Sequence, residues 1–277
     1  MIKLNPAYPT GEHERAAEAI VRFFSQMPET EAVLLVNSCA RGKASKDSCL
    51  DINVLVRPEA MAARGVEMNA AWEAFYASDT VFKELAAAGK YAEVHLDVVD
   101  GVFAPVEREW TGPPDAFEIE VGNALAYSVP LWQRSPENEA GETQETNATY
   151  YEQLKARWLP YYDEELRKKR LAMVRHFCTN NLDHIPLYVG RGLYFQSFDR
   201  LYNAHREFLQ ALFIARRTYA IAYDKWIREQ VEEILGLPEL YHQLTHLFEI
   251  RHFESDELVR KAEEVRRLLD EYAPAEG

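Results

Sequence analysis

Cysteine is scarce in this chain. Cys39, Cys49 and Cys178 are the only three in 277 residues, and no two stand in a C-x-x-C spacing. An odd, unspaced set excludes a disulfide framework and fits reduced thiols. Surplus positive charge is lacking as well. A formal net charge of -14 argues against a general grip on nucleic acid, because phosphate backbones are held by Lys and Arg in excess. A small anion in a local basic pocket stays open. No run approaches the ~18 apolar residues of a spanning helix, so no membrane partner is expected. The opening "MIKLNPAYPTGEHERAAEAI" has no signal-peptide apolar core, and the sequon at Asn147 therefore carries no weight. The expectation is a soluble, cytoplasmic protein large enough for one big domain or two modest ones.

What is present changes character along the chain. "GEHERAAEAIVRFFSQM" (11–27) places Ala16, Ile20 and Phe23 or Phe24 at helical spacing before Pro28. "AVLLV" and "DINVLV" are β-branched runs of strand length. "VEMNAAWEAFYASDTVFKELAAAG" predicts one or two helices ending at Gly89. "AEVHLDVVDG" predicts a strand stopped by Asp100-Gly101, and "AFEIEVGNALAYSVPLW" one or two more. The polar, acidic stretch "RSPENEAGETQETNATY" is the best linker candidate, and beyond it helical periodicity dominates. The predicted architecture is an α/β domain with a mixed sheet (1–135), a linker (136–149) and an all-α helical-bundle domain (150–277).

Chemistry concentrates between the first two strands, in "VLLVNSCARGKASKDSCLDINVLV". A strand, a small-residue turn and basic residues suggest backbone N–H groups aimed at an anion. Ser38 can add a hydroxyl, Arg41 a planar charged fork and Gly42 room for close approach. Composition alone is weak evidence, since many plain strand–loop–strand connections look similar. Period-two alternation puts Cys49, Asp51 and Asn53 on one strand face, opposite Leu50, Ile52 and Val54. Glu93, His95, Asp97 and Val99 share a face of the later strand. Two such strands can build a cation site, or simply be the solvent-facing side of a sheet.

"NSCARGKASKDSCLDINVLV" resembles the signature of the DNA polymerase β-like nucleotidyltransferases: Gly-Ser, a spacer ending in Arg-Gly, then Ser-Asp-x-Asp opening a strand. Two-domain bacterial antibiotic-modifying (aminoglycoside-type) and related stand-alone members are the nearest in organisation. On this resemblance Asn37-Ser38 stands on Gly-Ser, Arg41-Gly42 on Arg-Gly, and Ser48 on Ser. Cys49 and Asp51 fall on the two Asp positions, and Asp97 is the candidate third carboxylate. The resemblance implies a nucleoside triphosphate such as ATP on the Asn37–Gly42 turn with Ser48, and two magnesium ions on the catalytic, metal-holding Asp51 and Asp97. An acceptor hydroxyl on a small molecule would attack the α-phosphate in line. Two positions depart from the pattern. Asn37 replaces the turn glycine and is among the residues that tolerate positive φ. Cys49 replaces a carboxylate with a soft thiol, a poor magnesium ligand. Sliding the match by two residues puts Asn53 in the second position instead.

In the helical half, the resemblance implies that Lys225 contacts phosphate and Tyr219 or Tyr223 the base or ribose. Packing of these aromatics with solvated cations is the bland alternative. Leu201, His205, Phe208 and Leu212 form an apolar stripe, which reads His205 as a core histidine. Glu207 and Asp224 are candidate general bases with nothing to choose between them. "YYDEELRKKRLAMVRHF" reads as a solvated helix face, and the Gly190-x-Gly192 stretch as an interhelical turn. His242 and His246 lack the Glu of a zinc-peptidase helix. The leading expectation is a nucleotidyltransferase acting on a small-molecule hydroxyl. Its rivals are a non-catalytic nucleotide-binding relative and a member that modifies a protein or an RNA end, the RNA case being disfavoured by the acidic charge.

Overall fold

The structure, a computed structural model, describes residues 4–106, 112–135 and 148–276. Among these residues the N-terminal half carries a four-stranded mixed sheet and the C-terminal half is helical. The chain divides into two units. One is made of Lys3–Ala104 with Glu120–Pro160, the other of Pro105–Ile119 with Tyr161–Gly277. The division differs from the boundaries read in the sequence. Residues 150–160 count with the sheet unit, 112–119 with the helical unit, and most of the linker stretch (136–147) lies outside the described residues.

The sheet unit opens with helix α1 (Gly11–Phe24), which buries Ala16, Ile20 and Phe24. Strand β1 (Thr30–Leu35) runs into a single helical turn, α2 (Asn37–Arg41), and strand β2 (Leu50–Val56) follows. The alanine-rich stretch after it makes two helices, α3 (Pro58–Ser78) and α4 (Thr80–Ala88). Asp79 separates them because its carboxylate accepts the Val81 N–H and starts α4 afresh. Strand β3 is Val94–Val99. After the short helix α5 (Phe117–Val121) come strand β4 (Val129–Gln133) and helix α6 (Tyr150–Trp158).

The strand order is β3-β2-β1-β4. β1 pairs antiparallel with β2 and β4, whereas β2 and β3 are parallel, with α3 and α4 in their crossover. Leu50, Ile52, Val54 and Val56 point into a core shared with Ile20, Phe24, Trp72, Phe82 and Leu85, and Val94, Leu96 and Val98 pack against it. The alternation read in the sequence is therefore kept on both strands, and it leaves Glu93, His95 and Asp97 exposed.

Of the one or two strands expected in segment 116–132, one forms, and the first part of the segment is helical. Only Val129–Gln133 is extended; Phe117–Val121 is α-helical, followed by a π-turn over Gly122–Ala126. Phe117, Val121 and Leu125 recur every four residues and are all buried. The Asp115 carboxylate accepts the Phe117 N–H at 3.2 Å at the helix start. The apparent alternation of apolar residues with Glu118 misleads because Glu118 is fully buried.

The helical unit contains α7 (Glu164–Val189), α8 (Tyr194–Ala215), α9 (Pro238–Leu247) and α10 (Glu257–Tyr272) around one apolar core. Gly190–Leu193 connects α7 to α8, as the glycine pair suggested. The start of α7 is not the solvated face that its mixed charges suggested. Arg167 and Arg170 are buried. Arg170 donates to Asp115 at 2.8 Å and to both oxygens of Glu118, with Gln210 and Tyr162 adding donors. Its guanidinium also lies 4.8 Å from the Phe117 ring centre. Arg167 pairs with Glu164 and with Glu276. Glu164 is only three residues from Arg167, but Asp115, Glu118 and Glu276 lie tens of residues from the arginines they hold, beyond the reach of a local charge pattern.

Two consequences are measurable. Arg170→Met strands two buried carboxylates, so urea denaturation shows a loss of about 3–5 kcal/mol. His205 is buried against Phe248, and its Nδ1 lacks a hydrogen-bond partner. Burial, with a smaller contribution from Arg206, pushes its imidazole down to about 4 from 6.5. The unfolded chain then binds the extra proton, so this stability is complete above about pH 6.5 and is lost as pH falls toward 4. The loss is roughly 3 kcal/mol. His205→Phe flattens that part of the stability–pH curve.

Candidate functional site

The turn after β1 is strained in the way its sequence allows. Asn37 has φ +54°, within the left-handed region that asparagine accepts more readily than most residues. α2 closes on Gly42, φ +69°, whose N–H returns to the Cys39 carbonyl. A Cβ at Gly42 would collide with the Asn5 carbonyl, so the room that this glycine gives is used by the chain's own backbone. Ser38 and Arg41 are both buried; Gly42 and Lys43 form the exposed edge. Lys43, passed over in the sequence, is held there by its N–H bond to the Ser38 carbonyl at 2.9 Å.

The turn and β2 are one piece. The Val36 N–H donates to the Asp51 carbonyl at 3.1 Å, and the Cys39 thiol faces the Cys49 carbonyl at 3.8 Å. Burial, then the nearby Asp51 and Cys49, push the Cys39 thiol up to about 12. The approach to β2 is pinned from the other side by His13, which is wholly buried. Its Nε2 lies 2.9 Å from the Ser48 carbonyl, which can only accept, so Nδ1 accepts from Thr10 Oγ1 at 2.8 Å. The Ser48 hydroxyl is occupied locally, accepting the Ser45 N–H at 2.9 Å.

On the face of the sheet away from the α1–α3–α4 core, the parallel register sets Asp51 opposite His95 and Asn53 opposite Asp97. The Cys49 thiol lies 3.4 and 3.3 Å from the two Asp51 oxygens, and His95 Nδ1 lies 3.4 Å from Oδ1. Glu93 Oε1 stands 3.3 Å from the other ring nitrogen, Nε2. Cys49, Asp51 and His95 each offer one ligand atom within 4.8 Å of the others, the one such group of three or more among the described residues. Asp97 is exposed on the same face but is not part of that group. Asp51 is 8% exposed, so its charge sits against protein rather than in open water.

These donors do not suit magnesium, which takes oxygen ligands in near-octahedral geometry. One carboxylate is present, and a thiol and an imidazole occupy the other two positions. The register is what brings His95 rather than Asp97 opposite Asp51. Nothing in a single sequence shows where one strand sits against another, so the pairing was not readable there.

The residues assigned to nucleotide in the helical half belong to the other unit. Tyr219 is buried, its ring 4.8 Å from that of Tyr161, and burial, followed by the charge of Glu118, raises its pKa. Tyr223 is buried over the same carboxylate, with its hydroxyl 3.4 Å from Glu118. Lys225 is exposed, and its carbonyl accepts from the Gln230 amide at 3.0 Å. Glu207 is fully buried and accepts from Asn181 at 2.9 Å, whereas Asp224 is exposed.

The thiols differ sharply in access. Cys39 and Cys178 are fully buried and Cys49 is partly exposed. An aromatic disulfide reagent therefore modifies one thiol per native chain, at Cys49, and the other two react only after unfolding. Peptide mapping of the modified protein checks the assignment.

Comparison with protein-family models, with curated proteins and with solved structures gives no match.

Proposed function

We propose that the sheet unit is a nucleotide site of the nucleotidyltransferase kind, which transfers a nucleotidyl group, AMP from ATP, to a hydroxyl of a small molecule. The observation that carries this reading is the joining of turn and carboxylate. A positive-φ Asn37 and one helical turn leave β1, and the same β1 end is hydrogen-bonded to the backbone of Asp51 at the head of β2. The triphosphate would lie along the exposed edge at Gly42 and Lys43 with its α-phosphate turned toward Asp51. In the reaction a new P–O bond forms from the acceptor oxygen as the bond to pyrophosphate breaks, and the acceptor's proton leaves to a base. Ser38, Arg41 and Lys43 would orient the phosphates, and positioning supplies much of the rate. Asp51 would stand beside the reacting phosphate, where its carboxylate can take the acceptor's proton. No step is assigned to magnesium, because the donors beside Asp51 do not suit it.

A second reading has its own support. The thiol of Cys49 stands where the resemblance calls for a carboxylate, which favours a relative that binds nucleotide without transferring it. Calorimetric titration of ATP with and without divalent cation, followed by pyrophosphate release over a panel of hydroxyl acceptors, separates the two. The transfer reading expects binding and a release that Asp51→Ala lowers at least 100-fold. Tight binding with no release on any acceptor selects the binding-only relative. Absence of ATP binding removes both.

A further inference from the structure

We propose that Cys49, Asp51 and His95 form a site for one borderline divalent cation of the zinc and cobalt class, with Glu93 positioning the histidine. This goes beyond the nucleotide reading and does not depend on it.

Three lines of geometry converge. The donor chemistry is mixed: one thiol, one carboxylate and one imidazole, a set that favours cations of intermediate softness over magnesium or calcium. The spacing agrees. Metal–sulfur bonds of about 2.3 Å and metal–nitrogen or metal–oxygen bonds of about 2.0–2.1 Å give a tetrahedron edges of roughly 3.3–3.6 Å. The sulfur–carboxylate separations are 3.4 and 3.3 Å and the imidazole–carboxylate separation is 3.4 Å. The remaining thiol–imidazole edge is within 4.8 Å, and the exposed His95 ring is free to shorten it by a small rotation.

The third line is the support behind the imidazole. Glu93, two residues before His95 on the same strand face, lies 3.3 Å from Nε2. A carboxylate on the far ring nitrogen is the usual way a ligating histidine is oriented, with its other nitrogen turned to the metal. Backbone pairing holds Asp51 and His95 side by side, and His13 fixes the approach of Cys49, so two strands preorganise the donors. On binding, the Cys49 thiol proton passes to solvent and the thiolate takes its place on the metal. Three protein donors leave a fourth position, on the exposed side, for water or a phosphate oxygen.

The test uses the full chain, reduced, free of any histidine tag and without nucleotide. Cobalt(II) is titrated in while the visible d–d bands and the thiolate-to-cobalt charge-transfer band are followed, and zinc is then used to displace it. One cobalt per chain is expected, with a charge-transfer band that Cys49→Ser abolishes. His95→Ala weakens binding at least 100-fold and Glu93→Gln about tenfold. Millimolar magnesium leaves the spectrum unchanged. In the unsubstituted protein zinc slows modification of Cys49 by the disulfide reagent, a readout that does not rely on any variant folding. A spectrum without sulfur character, one unaltered in Cys49→Ser, or displacement by magnesium as readily as by zinc overturns the proposal. A chain that binds cobalt but not ATP keeps the cation site and loses the nucleotide reading; ATP binding without the cobalt spectrum does the reverse.

Discussion

Side chains on a strand alternate between faces, so the parallel pairing of β2 with β3 decides at one stroke what lies in the core and what meets at the surface. In the observed register Leu50, Ile52 and Val54 run beside Val94, Leu96 and Val98, and all six face or border the apolar core under the sheet. The same register sets Asp51 against His95 on the opposite face. A slip of one residue would bring the polar residues of β3 onto the core side and its apolar residues beside Asp51. Burying an aliphatic side chain is worth about 1.5–3 kcal/mol, so the core holds the register far more firmly than the surface donors could. The candidate site is thus carried by a decision made elsewhere. Its donors need no strong mutual attraction to meet.

The helical unit shows the opposite economy, in which polar groups are drawn into the interior. Arg170 faces two carboxylates, Asp115 and Glu118, with Gln210 and Tyr162 completing the donors. Removing these charges from water costs several kcal/mol per ion, and only near-complete pairing offsets it. What the network achieves is placement. Glu118 lies in α5 and Arg170 in α7, more than fifty residues apart in sequence, and one ion pair fixes how these two segments meet. Buried above the same carboxylate, Tyr162, Tyr219 and Tyr223 all have raised pKa values, with desolvation the leading cause. They are packing residues that present their hydroxyls to a charge. An assignment of Tyr219 to nucleotide recognition has to reckon with that burial.

How much of this could be read from the chain follows from the range of each interaction. The strands β1, β2 and β3, the first helix and the turn at Asn37 are set by neighbours within a few residues, and periodicity shows them directly. The positive φ at Asn37 was legible for the same reason, since the residue's own side chain decides whether the backbone can adopt it. In the failures a distant partner adds to or overrules the local pattern. Phe117–Val121 alternates like a strand but is helical, with Glu118 buried and bonded to Arg170. Arg167 and Arg170 look like surface charge and are not. In the site, the face shared by Cys49, Asp51 and Asn53 was readable, but its partner across the strand boundary was not. Asp97 was the natural choice on resemblance alone, and His95 is what the register places opposite Asp51.

That difference bears on the meaning of Cys49. Taken alone, a thiol in place of a carboxylate reads as damage to a magnesium site, because it removes a hard ligand and adds nothing a hard cation would use. Beside His95 it reads otherwise. A soft thiol and a borderline imidazole converge on the same carboxylate, one from two residues earlier, just before β2, and one from the paired strand, and a third group, Glu93, stands behind the imidazole. Simple loss would leave the neighbours of Asp51 unrelated in chemistry. Instead they share a preference, and they share it at spacings close to the edges of a tetrahedron. The substitution is then better understood as one part of a changed donor set, in which the thiol and the imidazole together select a cation that neither the carboxylate nor the turn would select alone.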